Sequence, residues 1–198
     1  HSSPQRIRKA VSGLKHRFTS EKEIGSLLVA VKHVIAVEGS LYRCFRSGIQ
    51  PEDGTILPAL DLFVQRLAGS AGGLDSFTLP LPRSGSACKR LNLFLRWMIR
   101  QDAVDPGGWE HIAPSLLVIP LDTHMFRIGH ALGFTSRRQA DLRAAVEITG
   151  GFSRIIPGDP VRYDFSLTRF GIRRDFAGED ILCSIDAIRS KTLQQTMR

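Results

Sequence analysis

The residue with the clearest chemical potential is Lys89, which opens the segment KRLNLFLRWMIR. That segment is rich in strong helix formers, so Lys89 is expected in a first helical turn, with Arg90 beside it. A helix N-terminus and an adjacent cation both disfavour a further positive charge, and an amine placed there gives up its proton more readily. A neutral amine is a nucleophile toward an electrophilic carbon, and attack on a sugar C1′ yields a Schiff base. The plainer role for such a lysine is contact with a phosphate or with solvent.

Asp122 is the second such residue, in the string IPLDTHMFRIG. Pro120 cannot continue a helix, so a new helix is expected to begin around Asp122 and run to Leu132, with the aspartate as its N-cap. A carboxylate held at a helix start has a fixed direction, which suits it to stabilise a cationic sugar as a glycosidic bond breaks. Capping and catalysis are compatible in one residue. His124, two residues on, points to another helix face, so a structural hydrogen bond is its expected role. Ser84, Ser86 and Cys88 are nucleophilic types, but the sequence places no base near them.

The elements that must position this pair read as helices. Apolar residues recur at helical spacing from Glu21 to Phe45, where Gly39 and Ser40 mark a break between one or two helices, and again from Ile56 to Leu67 before the Gly/Ser-rich run 69–73. The stretch LPLPRSGSA, with Gly85, reads as a hairpin or loop ahead of the Lys89 helix. A turn at 105–108 precedes a short helix expected from Trp109 to Leu117. Further helices are expected over Arg137–Thr149, from Asp159-Pro160 through Phe170, and over Glu179–Met197. No repeat of solenoid length is present, and helical spacing outnumbers strand alternation throughout, so the expected fold class is all-α.

At this point the residues resemble a family. LDTHMFRIGHALGF is similar to the Val-Asp-Thr-His segment of the helix-hairpin-helix DNA glycosylases, typified by endonuclease III, and LPRSGSACKRLNLFL resembles the hairpin and nucleophile segment of the same enzymes. The resemblance runs from about Leu81 to Gly171. It implies a helical bundle with a cleft between two lobes, Lys89 as nucleophile, Asp122 as catalytic aspartate and Asn92 on the lysine's helix. Asp122 follows Lys89 by 33 residues, an interval more similar to that of the archaeal 8-oxoguanine DNA glycosylase. The hairpin has one glycine, Gly85, where the family usually has two, and the four-cysteine cluster of endonuclease III is missing, which implies a cluster-free bacterial branch. The chain opens without Met, and the resemblance implies a single domain over 1–198 that is truncated at its start, after the family's first helices.

Composition agrees with a nucleic-acid partner. The 198 residues carry a formal charge of +8, which attracts polyanions. Between Arg83 and Arg174 there are fourteen Lys/Arg against eight Asp/Glu, so the positive charge is concentrated around the proposed site. Gly85, Arg90, Arg96, Arg100, Arg127, Arg137 and Arg138 are the candidate phosphate contacts, each against the plainer reading of a solvated helix face. Trp97, Trp109 and Phe126 are candidates to stack on a flipped base, although each is more often core and Trp97 especially so.

Cys44, Cys88 and Cys183 form no CxxC spacing, and His124 and His130 stand six apart, so no metal or other cofactor is expected, and the thiols are expected to be reduced. The longest apolar runs are cut by His33, Arg96 or Pro120, and the first ten residues lack an apolar core, which excludes a spanning helix and a secretory signal. The expected protein is cytoplasmic and nucleoid-associated: a base-excision glycosylase with AP-lyase activity on double-stranded DNA, with oxidised guanine as its first candidate lesion. A non-catalytic DNA binder of the same fold and a monofunctional glycosylase are the alternatives, ahead of an RNA-binding helical protein.

Overall fold

The computed structural model describes residues 3–16, 19–71 and 79–172. The helix expected over Glu179–Met197, and Cys183 within it, lie outside them. The fold is all-α: the described residues contain eight helices and no strand, only two isolated bridges, His16 with Thr19 and Gln101 with Pro106. The chain divides into two compact units, residues 1–88 and 89–198.

In the first unit, α1 spans Pro4–Ala10, α2 Glu21–Glu38, α3 Leu41–Arg46 and α4 Leu57–Ala71. A reciprocal capping box starts α2, with Ser20 accepting from the Glu23 N–H and Glu23 from the Ser20 N–H. Gly39, at φ 83°, stops α2 where a side chain is strained, and Ser40 caps α3, so the break in the 21–45 segment separates two helices. α2 packs on α1, α3 and α4 around Ala30, Val34, Phe45, Leu60, Phe63 and Val64. α4 continues over Gly69 to Ala71, past the point where the glycine-rich run was expected to end it. The proline-rich hairpin segment is a 3₁₀ turn at Pro82–Ser84 closed by Gly85 in the left-handed region at φ 85°, and the Arg83 N–H donates to Asp61 of α4 at 3.2 Å.

In the second unit, α5 spans Lys89–Ile99, α6 Thr123–Ala131, α7 Leu142–Ser153 and α8 Asp164–Ile172. α6 packs on both α7 and α8. Gly129 makes the α6–α7 approach possible, because a Cβ there would lie 2.5 Å from Ile148 Cδ1. The short helix expected over Trp109–Leu117 is only a 3₁₀ turn at Pro114–Leu116. Pro114 removes a backbone donor and His111 takes a φ of 63°, so regular helix does not propagate. From Leu117 to Leu121 the chain is buried and non-helical, and the Thr149 hydroxyl accepts from the Ile119 N–H at 3.0 Å. α7 starts at Leu142 rather than Arg137 because Asp141 caps it, accepting from the Ala144 N–H. Turns occupy 160–163, so α8 begins at Asp164 instead of the Asp159-Pro160 step.

Candidate active site

Lys89 is the first residue of α5, and Asp122 is the N-cap of α6. Asp122 divides its two oxygens. Oδ1 accepts from the Met125 N–H at 2.8 Å, and Oδ2 stands 3.2 Å from Lys89 Nζ. The cap bond fixes the carboxylate's direction, so the oxygen left over is the one presented to the amine. The lysine side chain is 49% exposed and the aspartate 16%, a geometry in which a salt bridge contributes at most about 1 kcal/mol to stability.

The pair opens on a cavity of about 730 Å³ whose described lining belongs entirely to residues 89–198. Leu93 and Trp97 continue the α5 wall one and two turns beyond Lys89, Pro120 precedes Asp122, and α8 contributes Asp164, Phe165, Thr168 and Arg169. Such a volume lies within the range of small-molecule and cofactor pockets. Apolar groups from Leu93, Val104, Pro106 and Pro120 supply much of the wall, with the charged groups at Lys89, Arg96, Asp122, Asp164 and Arg169.

Beneath the cavity lies a buried ion network. Arg96, 2% exposed, reaches Asp164 Oδ2 at 2.8 Å and Asp105 Oδ2 at 3.1 Å. Arg100 holds Asp105 through Nη1, Asp159 through Nε at 3.0 Å and Asp102 through Nη2 at 2.8 Å. The loop is pinned further by Asp102 Oδ1, which accepts from the Asp105 and Val104 N–H groups. Those two backbone bonds pull the Asp102 carboxyl below its ordinary value. Asp164 moves the other way. Burial, reinforced by the negative charge of Asp122, pushes it up to about 6 against the opposing pull of Arg96 and Lys89.

The expected phosphate contacts separate into two groups. Arg96 and Arg100 are not available to DNA, because both are buried and committed to aspartates. Arg96 lies on the inner face of α5 and Arg100 directly follows its last residue, both buried where they are tolerated only as paired charges. Arg137 is half-buried and lies bidentate on Asp141, at 3.1 and 2.9 Å, which leaves it holding the start of α7. Arg90, Arg127 and Arg138 are exposed, as is Gly85.

The aromatic residues also divide. Trp109 is buried at 8% exposure with Phe94 edge-on at 5.4 Å, so it is core and has no free face for a base. Phe126 is half-buried, stands edge-on to His130 at 4.8 Å and is not among the cavity-lining residues. Trp97, expected in the core, is instead 42% exposed and lines the cavity. The sequence reading missed Asp164, Phe165 and Arg169. Asp164 meets Arg96 across 68 residues, and no local pattern signals that pairing. His130 takes a structural role through Nε2 against the Arg137 carbonyl, and His124 lies outside the cavity lining.

Among the described residues no group of three or more His, Cys, Asp and Glu side chains is arranged to hold a metal, and no helix is long and apolar enough to cross a membrane. No curated protein and no solved structure matches the chain. A family described as "Protein of unknown function (DUF2400)" matches residues 1–173. With that match covering most of its length, the chain belongs to the DUF2400 family.

Proposed function

We propose that this protein is a DNA base-excision glycosylase with AP-lyase activity, of the helix-hairpin-helix type. The observation that carries the reading is the Lys89–Asp122 pair, 3.2 Å apart on the wall of a cavity of about 730 Å³, with each residue at the start of its own helix. An amine and a carboxylate so placed suit a reaction at a sugar carbon. Asp122 stabilises positive charge at C1′ as the base departs, and Lys89, on giving up a proton, forms the covalent bond. Loss of the 2′ proton then eliminates the 3′ phosphate and nicks the strand.

The remaining features fit the same partner, double-stranded DNA carrying a damaged base or an abasic site. The excess positive charge favours a polyanion, and exposed Arg90, Arg127 and Arg138 are suited to phosphates. Trp97 offers an exposed ring at the cavity for a base taken out of the stack. In chain order, α4, the Gly85 turn and α5 follow the helix, hairpin, helix succession that LPRSGSACKRLNLFL and LDTHMFRIG resemble. Oxidised guanine is the first lesion to try, and a cytoplasmic, nucleoid-associated setting follows from that substrate.

The test is borohydride trapping on duplexes containing an abasic site or 8-oxoguanine, comparing the intact chain with Lys89→Gln. A covalent adduct formed by the wild type and lost in the variant is the expected result. A folded protein that binds the duplex without forming an adduct overturns amine catalysis and leaves a monofunctional glycosylase, if base is still released, or a DNA binder of the same fold.

A further inference from the structure

Among the described residues the buried network beneath the cavity is unbalanced. Arg96 and Arg100 bring two positive charges, while Asp105, Asp159 and Asp164 bring three carboxylates, and the more exposed Asp102 adds a fourth. Lys89 and Asp122 already compensate each other. The least costly correction in a desolvated site is a proton on one carboxylate.

Asp164 is the residue suited to carry it. Its side chain is 6% exposed, Oδ2 accepts from Arg96, and Oδ1 is buried with no hydrogen-bond partner among the described residues, although the residue lines the cavity. Asp105 also has an unpartnered Oδ1, but two guanidiniums meet its other oxygen, which favours its ionised form, and it is not among the lining residues. The charged groups acting on Asp164 are Lys89 and Arg96 from α5 and Asp122 from the cap of α6. Arg169 lies one turn further along its own helix. Their balance with burial leaves the carboxyl titrating at about 6.

We propose that Asp164 is a catalytic acid of this cleft, whose unpartnered oxygen holds a proton and delivers it to the departing base. The proposal rests on the glycosylase reading and adds a third residue to it. As the C1′–N bond breaks, its electron pair passes to the base nitrogen, and the Asp164 proton follows. Lys89, an ammonium in its pair with Asp122, sheds one proton and, as the amine so formed, makes the new bond to C1′, ending as a secondary ammonium that still pairs with Asp122. That proton returns the Asp164 carboxylate to its acid form, so charge and atoms balance with no external acid. Arg96 then has a positioning role: it holds Oδ2 and leaves Oδ1 as the protonated atom.

An abasic site has no base to protonate, so the two chemical steps can be read separately. Single-turnover base release from duplexes containing 8-oxoguanine, uracil or thymine glycol is followed from pH 5 to 8 for the wild type and Asp164→Asn, with borohydride trapping on abasic DNA alongside. Wild-type base release is expected to fall about tenfold per pH unit above 6, as the fraction of protonated acid does. The variant is expected to lose on the order of a hundredfold at pH 6, together with that descending limb, within the range typical of a general acid. A far-ultraviolet circular dichroism spectrum and urea midpoint matching the wild type show that it is folded.

Base release by the variant at the wild-type rate, or with the same descending limb, overturns the acid. A wild type that traps abasic DNA but releases none of the three bases also overturns it, while the lyase reading stands. A wild type that traps no abasic DNA overturns that underlying reading and the acid with it. If Asp164→Asn does not fold, the carbon-13 shift of the Asp164 carboxyl in the wild type decides: titration near 6 supports a stored proton, and titration below 4 refutes it.

Discussion

Replacing Arg96 by Met tests the ion network that shapes the cavity floor. The side chain is 2% exposed and is shared between Asp105, itself fully buried, and Asp164. Met has a similar length and fills the channel, so the packing loss is small and the change is chiefly electrostatic. Asp105 keeps Arg100, but Asp164 loses the one cation hydrogen-bonded to it among the described residues. Removing one partner of a buried pair generally costs about 3–5 kcal/mol, because the other charge is left desolvated.

The pH dependence sharpens this prediction. Asp164 in the wild type is already raised to about 6, and without Arg96 it rises further. A carboxyl whose folded pKa lies above its unfolded value contributes stability at low pH, which is lost as pH rises through the folded pKa. The variant's deficit relative to the wild type is therefore small at pH 5, where Asp164 is largely protonated in both, and approaches its full value at pH 8. Urea denaturation followed by far-ultraviolet circular dichroism at both pH values measures the deficit. A deficit under about 1 kcal/mol at pH 8, or one equal at the two pH values, refutes this account of the network.

Asp122→Asn is expected to leave stability within about 0.5 kcal/mol, because asparagine caps as well as aspartate. Asp122→Ala loses the Met125 bond and about 1 kcal/mol, and both variants abolish borohydride trapping. If Asp122→Asn traps DNA normally, the carboxylate has no chemical role. Gly151→Ala places a Cβ into the Phe134 ring and is expected to lower stability by about 1–3 kcal/mol in thermal or urea melts, whereas Gly150→Ala, with open space around it, is near neutral or stabilising. Trp97→Ala, at an exposed position, is expected to change stability by less than Trp109→Ala while weakening binding to a duplex containing 8-oxoguanine by about 1–3 kcal/mol, measured by fluorescence anisotropy at fixed salt. Equal affinity for the duplex removes Trp97 from the binding surface.

The sequence by itself determined the all-α class and the local logic of the site. Helical spacing, Pro120 and an aspartate in front of THMFRIG specify a capped helix start, and the structure places Asp122 in that role with α6 beginning at Thr123. Lys89 likewise opens its helix as its segment requires. These are interactions within one turn of chain, which residue order alone controls.

Tertiary packing decided the rest. Arg96 and Arg100 look like surface cations in KRLNLFLRWMIR, yet they are buried because aspartates 5 to 68 residues away meet them. Trp97 reads as core between Leu95 and Met98, but the turn of α5 carries it to the cavity while Trp109 takes the interior place against Phe94. The proximity of Lys89 and Asp122, and the presence of Asp164 beside them, follow from how α5, α6 and α8 are brought together. No periodicity encodes those contacts, since they depend on which helix faces meet and on which buried charges find partners there.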